Sequence, residues 1–169
     1  VELTLNDDQV PTINCNVPTA LNTTPGVCGY VVVNSTLDPT FTDNCNAVRT
    51  HNYLAAPQLF TLQGAELPVG TTTIVWTITD DAGNKTTCAV NYVVTDNELP
   101  VFTNCPANIT VGNDVDKCGA NVFWLAPSAT DNCDATVTQT TGLLPGALFP
   151  VGLSTILYTA KDPSNNTKT

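Results

Sequence analysis

One ladder of cysteines and turn residues is written twice in this sequence. Cys15 and Cys28 are 13 residues apart, as are Cys105 and Cys118, and each member of the second pair lies 90 residues after its counterpart. Gly29 and Gly119 follow the second cysteine of each pair. Further on, Asp43-Asn44-Cys45 recurs as Asp131-Asn132-Cys133 at an offset of 88, and Pro68-Val69-Gly70 recurs as Pro150-Val151-Gly152 at an offset of 82. A chain that repeats its punctuation at this period folds as two similar units in series, each roughly 80 to 90 residues long. Domains that small bury a modest share of their surface, so covalent staples are useful to them. Seven cysteines and no methionine point to an oxidising compartment, where thiol pairs persist as disulfides.

Between these landmarks the pattern is that of strands. Ile74, Trp76 and Ile78 alternate with threonines and Val75, which predicts a strand with one buried face. Ile156, Tyr158 and Ala160 take the same places in the second copy. Tyr30–Val33 and Val122–Leu125 are short β-branched and aromatic runs and are predicted as strands too. Asp80 and Asp162 end the alternating strands, Asn84 and Asn166 follow four residues later, and Cys88 begins the closing strand of the first copy. Short strands separated by Pro, Gly and Asn turns, without helical periodicity, predict an all-β chain of two antiparallel sandwiches with immunoglobulin-like topology, about seven strands per full copy.

The expected organisation is residues 1–6 as the last strand of a preceding repeat, 7–95 as the first repeat and 96–169 as the second. The counterpart of Cys88 would fall one residue past Thr169. The second copy is therefore expected to stop before its last strand, with the partner of Cys105 lost. The first residues, VELTLNDDQ, lack the basic start and apolar middle of a signal sequence, so the chain reads as an internal segment of a longer protein.

Charge narrows the range of partners. Fifteen acidic against five basic residues give a net charge of −10, which argues against nucleic acid and anionic lipid and favours cations. No apolar run is long enough to span a bilayer as a helix.

Taken together, Cys105-Pro106, Cys118, Pro127 with Asp131-Asn132-Cys133, Leu144-Pro145-Gly146, Phe149-Pro150-Val151-Gly152, Tyr158-Thr159-Ala160 and Asp162 resemble the hyalin repeat (HYR) family. The first copy departs from the pattern at Asn16, in place of proline, and at Leu67, in place of phenylalanine. The resemblance implies an immunoglobulin-like extracellular module without catalysis, of the kind found in adhesion proteins and long bacterial surface adhesins. Fold analogy does not supply a ligand. The expected role is a spacer in a secreted or cell-surface fibre or adhesin, in contact with neighbouring repeats of its parent chain. The alternative is an adhesive module that grips a glycan or protein through residues 46–67, with Tyr53 and Phe60 as its aromatics. A sheet edge left open in the second copy would also permit fibre formation, completed by a segment such as Val1–Leu5.

In an immunoglobulin-like sandwich the first and last strands run side by side in parallel, which brings Cys15 near Cys88, and the family pattern supports the same pair. Elimination leaves Cys28 with Cys45, and Cys118 with Cys133 in the second copy. The strand reading nevertheless puts Cys28 and Cys45 near opposite ends of one strand, and four cysteines allow three connectivities. One histidine and no Cys-x-x-Cys pair leave little basis for a zinc site.

Counting strand directions gathers Asp7, Asp8, Asp43, Asn44, Asp80 and Asp81 at one pole of the first copy. The same count gathers Asp96, Asn97, Glu98, Asp131, Asn132 and Asp162 at one pole of the second. Clustered carboxylates repel one another, and calcium takes six to eight such oxygen ligands. The junction also resembles the calcium-binding linker of cadherins, with Asp96-Asn97 ahead of Pro100-Val101-Phe102. The simpler reading is that these Asp and Asn residues cap turns by bonding their own backbone. Asn22, Asn34, Asn84, Asn108 and Asn165 occupy Asn-x-Ser/Thr sites that permit glycosylation in a secreted eukaryotic protein. His51 is expected to be an exposed strand residue, and Trp76 and Trp124 to be core.

Overall fold

A computed structural model describes residues 1–169. The chain divides into two compact units, Val1–Asp96 and Asn97–Thr169. Both are all-β, as the repeat predicts.

The first unit contains β1 (Thr12–Asn14), β2 (Ala20–Asn22), β3 (Gly29–Val31), β4 (Thr40–Thr42), β5 (Ala47–His51), β6 (Glu66–Pro68), β7 (Gly70–Asp80) and β8 (Lys85–Thr95), with one 3-10 turn at Ser35–Leu37. Eight strands appear where about seven are predicted, because the leading strand is split. β1 pairs antiparallel with β4, whereas β2 pairs parallel with β8. Pro18 lies in the segment between them and breaks the ladder, since proline has no N–H to donate.

The β7–β8 hairpin carries the unit. Its register runs from Gly70 opposite Val94 to Thr79 opposite Lys85, and β5 covers the other side of β7 from Ala47 opposite Asp80 to His51 opposite Trp76. Period-2 alternation turns Ile74, Trp76 and Ile78 inward, each fully buried, and Ile74 and Trp76 share one core with Val90, Tyr92 and Val94 of β8. Leu37 and Leu62 close the core from the connections and Leu67 from β6. Each such side chain contributes roughly 1.5–3 kcal/mol through burial. Tyr92 brings a polar tip into this core and finds partners for it: its hydroxyl donates to the Leu37 carbonyl at 2.7 Å and accepts from Trp76 Nε1 at 3.3 Å. Burial pushes the phenol up to about 12.

The second unit repeats the plan with β9 (Val101–Thr103), β10 (Gly119–Asn121), β11 (Ser128–Thr130), β12 (Thr136–Thr141), β13 (Leu148–Pro150), β14 (Leu157–Lys161) and β15 (Thr167–Lys168). β9 pairs with β11 as β1 does with β4, β10 with β13 as β3 does with β6, and β12 with β14 as β5 does with β7. β15 continues onto β14 in the place of β8. Gly119 leaves no room for a side chain, since a Cβ there would meet the Phe149 carbonyl oxygen; Gly29 meets Leu67 in the same way. This close approach is why glycine follows the second cysteine in both copies.

Several expectations need correction. Val1–Leu5 form no strand and expose Val1, Leu3 and Leu5, since a ladder needs a partner that this chain does not offer them. Val122–Leu125 lie beyond β10, and Phe123 and Leu125 are 73% and 83% exposed. Trp124 is half-buried rather than core; its indole N–H donates to the Tyr158 hydroxyl at 2.8 Å and its ring meets Phe149 edge-on.

His51 is buried, not exposed. It packs edge-on against Trp76 at 5.0 Å between ring centres. Nδ1 accepts from the Tyr53 amide and Nε2 lies 3.2 Å from the Thr61 carbonyl oxygen, an arrangement that suits the neutral imidazole with its proton on Nε2. Beside it, Arg49 donates to Asp38 Oδ2, to the Pro39 carbonyl and to the Phe60 carbonyl, with its guanidinium 5.3 Å from the Trp76 ring centre. Asp38 Oδ1 accepts from the Leu62 amide. This polar network fastens the long connection between β5 and β6 to the body of the first unit.

Candidate cation site at the N-terminal pole

Three loops converge where the chain enters the first unit: the leading segment with Asp7, the β4–β5 turn with Asp43, and the β7–β8 turn with Asp80. One carboxylate oxygen from each of Asp7, Asp43 and Asp80 lies within 4.8 Å of the others. Each of the three also caps its own turn. Asp7 Oδ1 accepts from the Gln9 amide, Asp43 Oδ2 from the Cys45 amide, and Asp80 Oδ1 from the Asn84 amide, at 2.7–3.0 Å. The turn-capping role and the acidic cluster are thus built from the same residues.

Asp80 is buried, while Asp7 and Asp43 are half-buried. Asp7 Oδ2 is buried and meets no donor in hydrogen-bond geometry. The Cys45 thiol beside it, then the Gln9 amide and Asn44, hold the Asp7 carboxyl below the usual carboxylate range. The same contact acts in the opposite direction on the thiol: Asp7, burial and the nearby charges of Asp43 and Asp80 push Cys45 up to about 11. Asn44 donates its Nδ2 to Asp7 Oδ1 at 3.2 Å. Asp8 and Asp81 are exposed and outside the cluster.

Asn84 holds the site together, a role its spacing hinted at. Its Nδ2 lies 3.1 Å from the Asp7 and Gln9 carbonyl oxygens and 2.8 Å from Asp80 Oδ2. The recurring spacing of Asp80 to Asn84 and Asp162 to Asn166 was the available signal. An amide nitrogen so engaged is poorly placed to carry a glycan, whereas Asn22, Asn34, Asn108 and Asn165 are exposed.

In the second unit Asp131 is half-buried and caps Cys133, and Asp162 is buried and accepts from the amide and the Nδ2 of Asn166 at 2.7–2.8 Å. Asn132 is half-buried. Asp96, which takes the place of Asp7 in the repeat, ends the first unit at 3% exposure and accepts from the Thr23 hydroxyl at 3.4 Å. Asn97 is exposed and Glu98 half-buried.

The predicted staple between Cys15 and Cys88 is present, with 6.6 Å between Cα atoms. The pairs Cys28–Cys45 and Cys118–Cys133 are not formed, because Cys45 and Cys118 are exposed free thiols, as is Cys105. The reason is distance. Cys28 precedes Gly29, which is paired with Pro68 at the Gly70 end of β7, whereas Cys45 lies by Asp80 at its other end. Eleven strand residues span roughly 33 Å at about 3.3 Å each, and a disulfide needs Cα atoms within about 7 Å.

The class of molecule is therefore a tandem β-sandwich repeat protein with an acidic pole and an internal staple in its first unit. The profile of the HYR domain matches residues 6–94 and again 95–169, and the chain belongs to that family. It is 41% identical over 148 residues to a hyalin of Lytechinus variegatus and 36% identical over 132 residues to a hyalin of Strongylocentrotus purpuratus, covering 83% and 76% of this chain. It is also 35% identical over 136 residues to the sushi, von Willebrand factor type A, EGF and pentraxin domain-containing protein 1 of Rattus norvegicus, covering 78% of this chain. The matches span 26%, 10% and 4% of those relatives' lengths. No helix in the chain is long and apolar enough to cross a membrane.

Proposed function

We propose that this chain is a spacer segment of an extracellular, cell-surface or secreted repeat adhesin or fibre, stiffened by disulfides and by calcium at the repeat junctions, and that it has no catalytic role. The observation that carries this reading is the convergence of Asp7, Asp43 and Asp80. Its three carboxylates tie the incoming chain to two turns of the sandwich, so a cation held there would fix the incoming segment to the body. By repeat position Asp96, Asp131 and Asp162 serve the second repeat. Hard oxygen donors and the absence of sulfur or imidazole ligands in the set favour calcium over softer metals.

Calcium titration by calorimetry, with thermal melting beside it in calcium and in chelator, tests the reading. At a hundredfold excess over Kd the stabilisation is about 2.7 kcal/mol. Asp43→Ala, Asp80→Ala or Asp131→Ala reduces the response and Asp116→Ala leaves it intact. Absence of heat together with unchanged melting contradicts the reading.

A second reading draws on the connection between β5 and β6, where Leu54, Leu59 and Phe60 are exposed. There the chain would grip a glycan or protein surface, although Tyr53 is turned inward and donates to the Glu66 carbonyl. Loss of adhesion to immobilised host matrix in Phe60→Ala, with melting unchanged, favours this role; retained adhesion favours the spacer.

A further inference from the structure

Nine residues of the first unit are acidic, and Arg49 and Lys85 are its only basic ones, yet one face of it carries no carboxylate. Its larger sheet runs in the order β2-β8-β7-β5. The alternation that buries Ile74, Trp76 and Ile78 turns Val75, Thr77 and Thr79 to the outer face. There Thr77 stands between Thr50 of β5 and Thr87 of β8, a row of three threonines across the sheet, and Val75 stands beside Ala89. Lys85, opposite Thr79 at the hairpin end, is the one charge that β5, β7 and β8 bring to this face. The carboxylates sit elsewhere, in the leading segment, in the connections and turns, and on β6, while Asp80 at the end of β7 is buried.

The row recurs in the second unit. Thr138 of β12 pairs with Thr159 of β14, whose Oγ1 lies 3.4 Å from Thr169 Oγ1. These three are the counterparts of Thr50, Thr77 and Thr87, at offsets of 88, 82 and 82. Lys161 is the only charged residue of β12 and β14.

Threonine suits an exposed strand by itself, so the hydroxyls alone name no partner. The charge distribution does. Two copies of a chain with net charge −10 repel one another, and the outer sheet face is where they can meet without opposing their carboxylates. A threonine hydroxyl both donates and accepts, so a row of threonines is complementary to itself across a two-fold axis, as an isologous contact requires. Val48 and Val93, exposed on the same face, and the small Ala89 supply flat apolar area. The face holds no aromatic ring on which a sugar could stack.

We propose that the outer face of the β2-β8-β7-β5 sheet is a lateral contact between copies of this chain, seated on the same face of a second chain. At about 3.3 Å per residue and 4.8 Å between strands, the four strands present roughly 470 Å² in projection. A pair therefore covers about 950 Å², the size of a weak contact. The inference goes beyond the spacer reading, to sideways association of such segments, and draws nothing from the acidic pole.

Sedimentation velocity of the full chain in chelator tests it, with the exposed thiols of Cys45, Cys105 and Cys118 alkylated so that no intermolecular disulfide forms. The sedimentation coefficient should rise with concentration up to about 1 mM. The rise should be about twofold steeper in about 1 M salt, where a Debye length of about 3 Å screens the acidic surfaces. Ala89→Glu should cut the rise and Ala89→Glu with Thr138→Glu should abolish it, whereas Thr40→Glu, on β4 of the other sheet, should leave it intact. Mixing Ala89→Glu and Ala89→Lys chains should restore association as pairs of unlike chains. Circular-dichroism melting checks that each variant is folded, and Thr87→Glu, also on the exposed face, replaces Ala89→Glu if that chain does not fold. A coefficient independent of concentration in both salts leaves the face solvated and overturns the proposal. Association that survives Ala89→Glu with Thr138→Glu, or that Thr40→Glu weakens equally, places the contact elsewhere and also overturns it. With chelator present throughout, the result is separate from that of the calcium titration.

Discussion

The two repeats share one plan and differ in how their tryptophans are enclosed. In the first, β8 extends over eleven residues, pairs with β7 along nearly its whole length, and adds a parallel contact to β2. In the second, residues 110–112, which stand in the place of β2, form no strand. Trp76 is fully buried under β8, while Trp124 is half-buried and Phe123, Leu125 and Leu153 face outward. The closing strand therefore supplies three things at once: the second wall of the core, the partner of the split first strand, and the cysteine that staples the two together.

The sharpest way to break this comparison is to remove the one tryptophan of each unit. Trp76→Ala should cost about 3–5 kcal/mol in chemical denaturation, as for other fully buried large aromatics. Trp124→Ala, half-buried, should cost less than half of that. Equal losses would mean that the two tryptophans are equally enclosed.

Next in size is the staple. Cys15 and Cys88 close a loop of 73 residues, and Cys88→Ser should destabilise the first repeat by about 2–4 kcal/mol while leaving the second unchanged, as read by hydrogen exchange resolved along the chain. A smaller effect separates the repeats by pH. The Tyr92 phenol is raised in the folded state to about 12, above an unfolded value near 10. Its contribution is fully present below pH 10 and is lost as pH rises toward 12. Tyr92→Phe should flatten that alkaline loss in first-repeat melting, at a cost of about 1 kcal/mol at neutral pH for the hydrogen bond to Leu37.

The fold was legible wherever it rests on alternation or on repeated punctuation. Ile74, Trp76 and Ile78 declare β7 in the sequence, and the recurrence of cysteines and turns declares the two units. Asp43 and Asp80 were legible at the acidic pole because strand counting places turn ends. The same counting added Asp8 and Asp81, since it does not say which way a turn residue faces.

What escaped were contacts made by connections. β5 presents Arg49 and His51 inward and leaves Val48 half exposed, the reverse of what hydropathy predicts. The inward polar groups are satisfied by Asp38 and by carbonyls of Pro39, Phe60 and Thr61, partners that no periodicity reveals. The pairing of Cys28 with Cys45 failed for a related reason, since elimination takes no account of the length of β7 that lies between them.

The central claim is stiffness at the repeat junctions, set by calcium. Small-angle X-ray scattering of the chain in four conditions, with calcium or chelator and with disulfides intact or reduced, tests it most directly. The account predicts a sharp two-unit pair-distance distribution in calcium that broadens in chelator, with disulfides intact or reduced. One unchanged distribution across all four conditions, or broad distributions throughout, would contradict it.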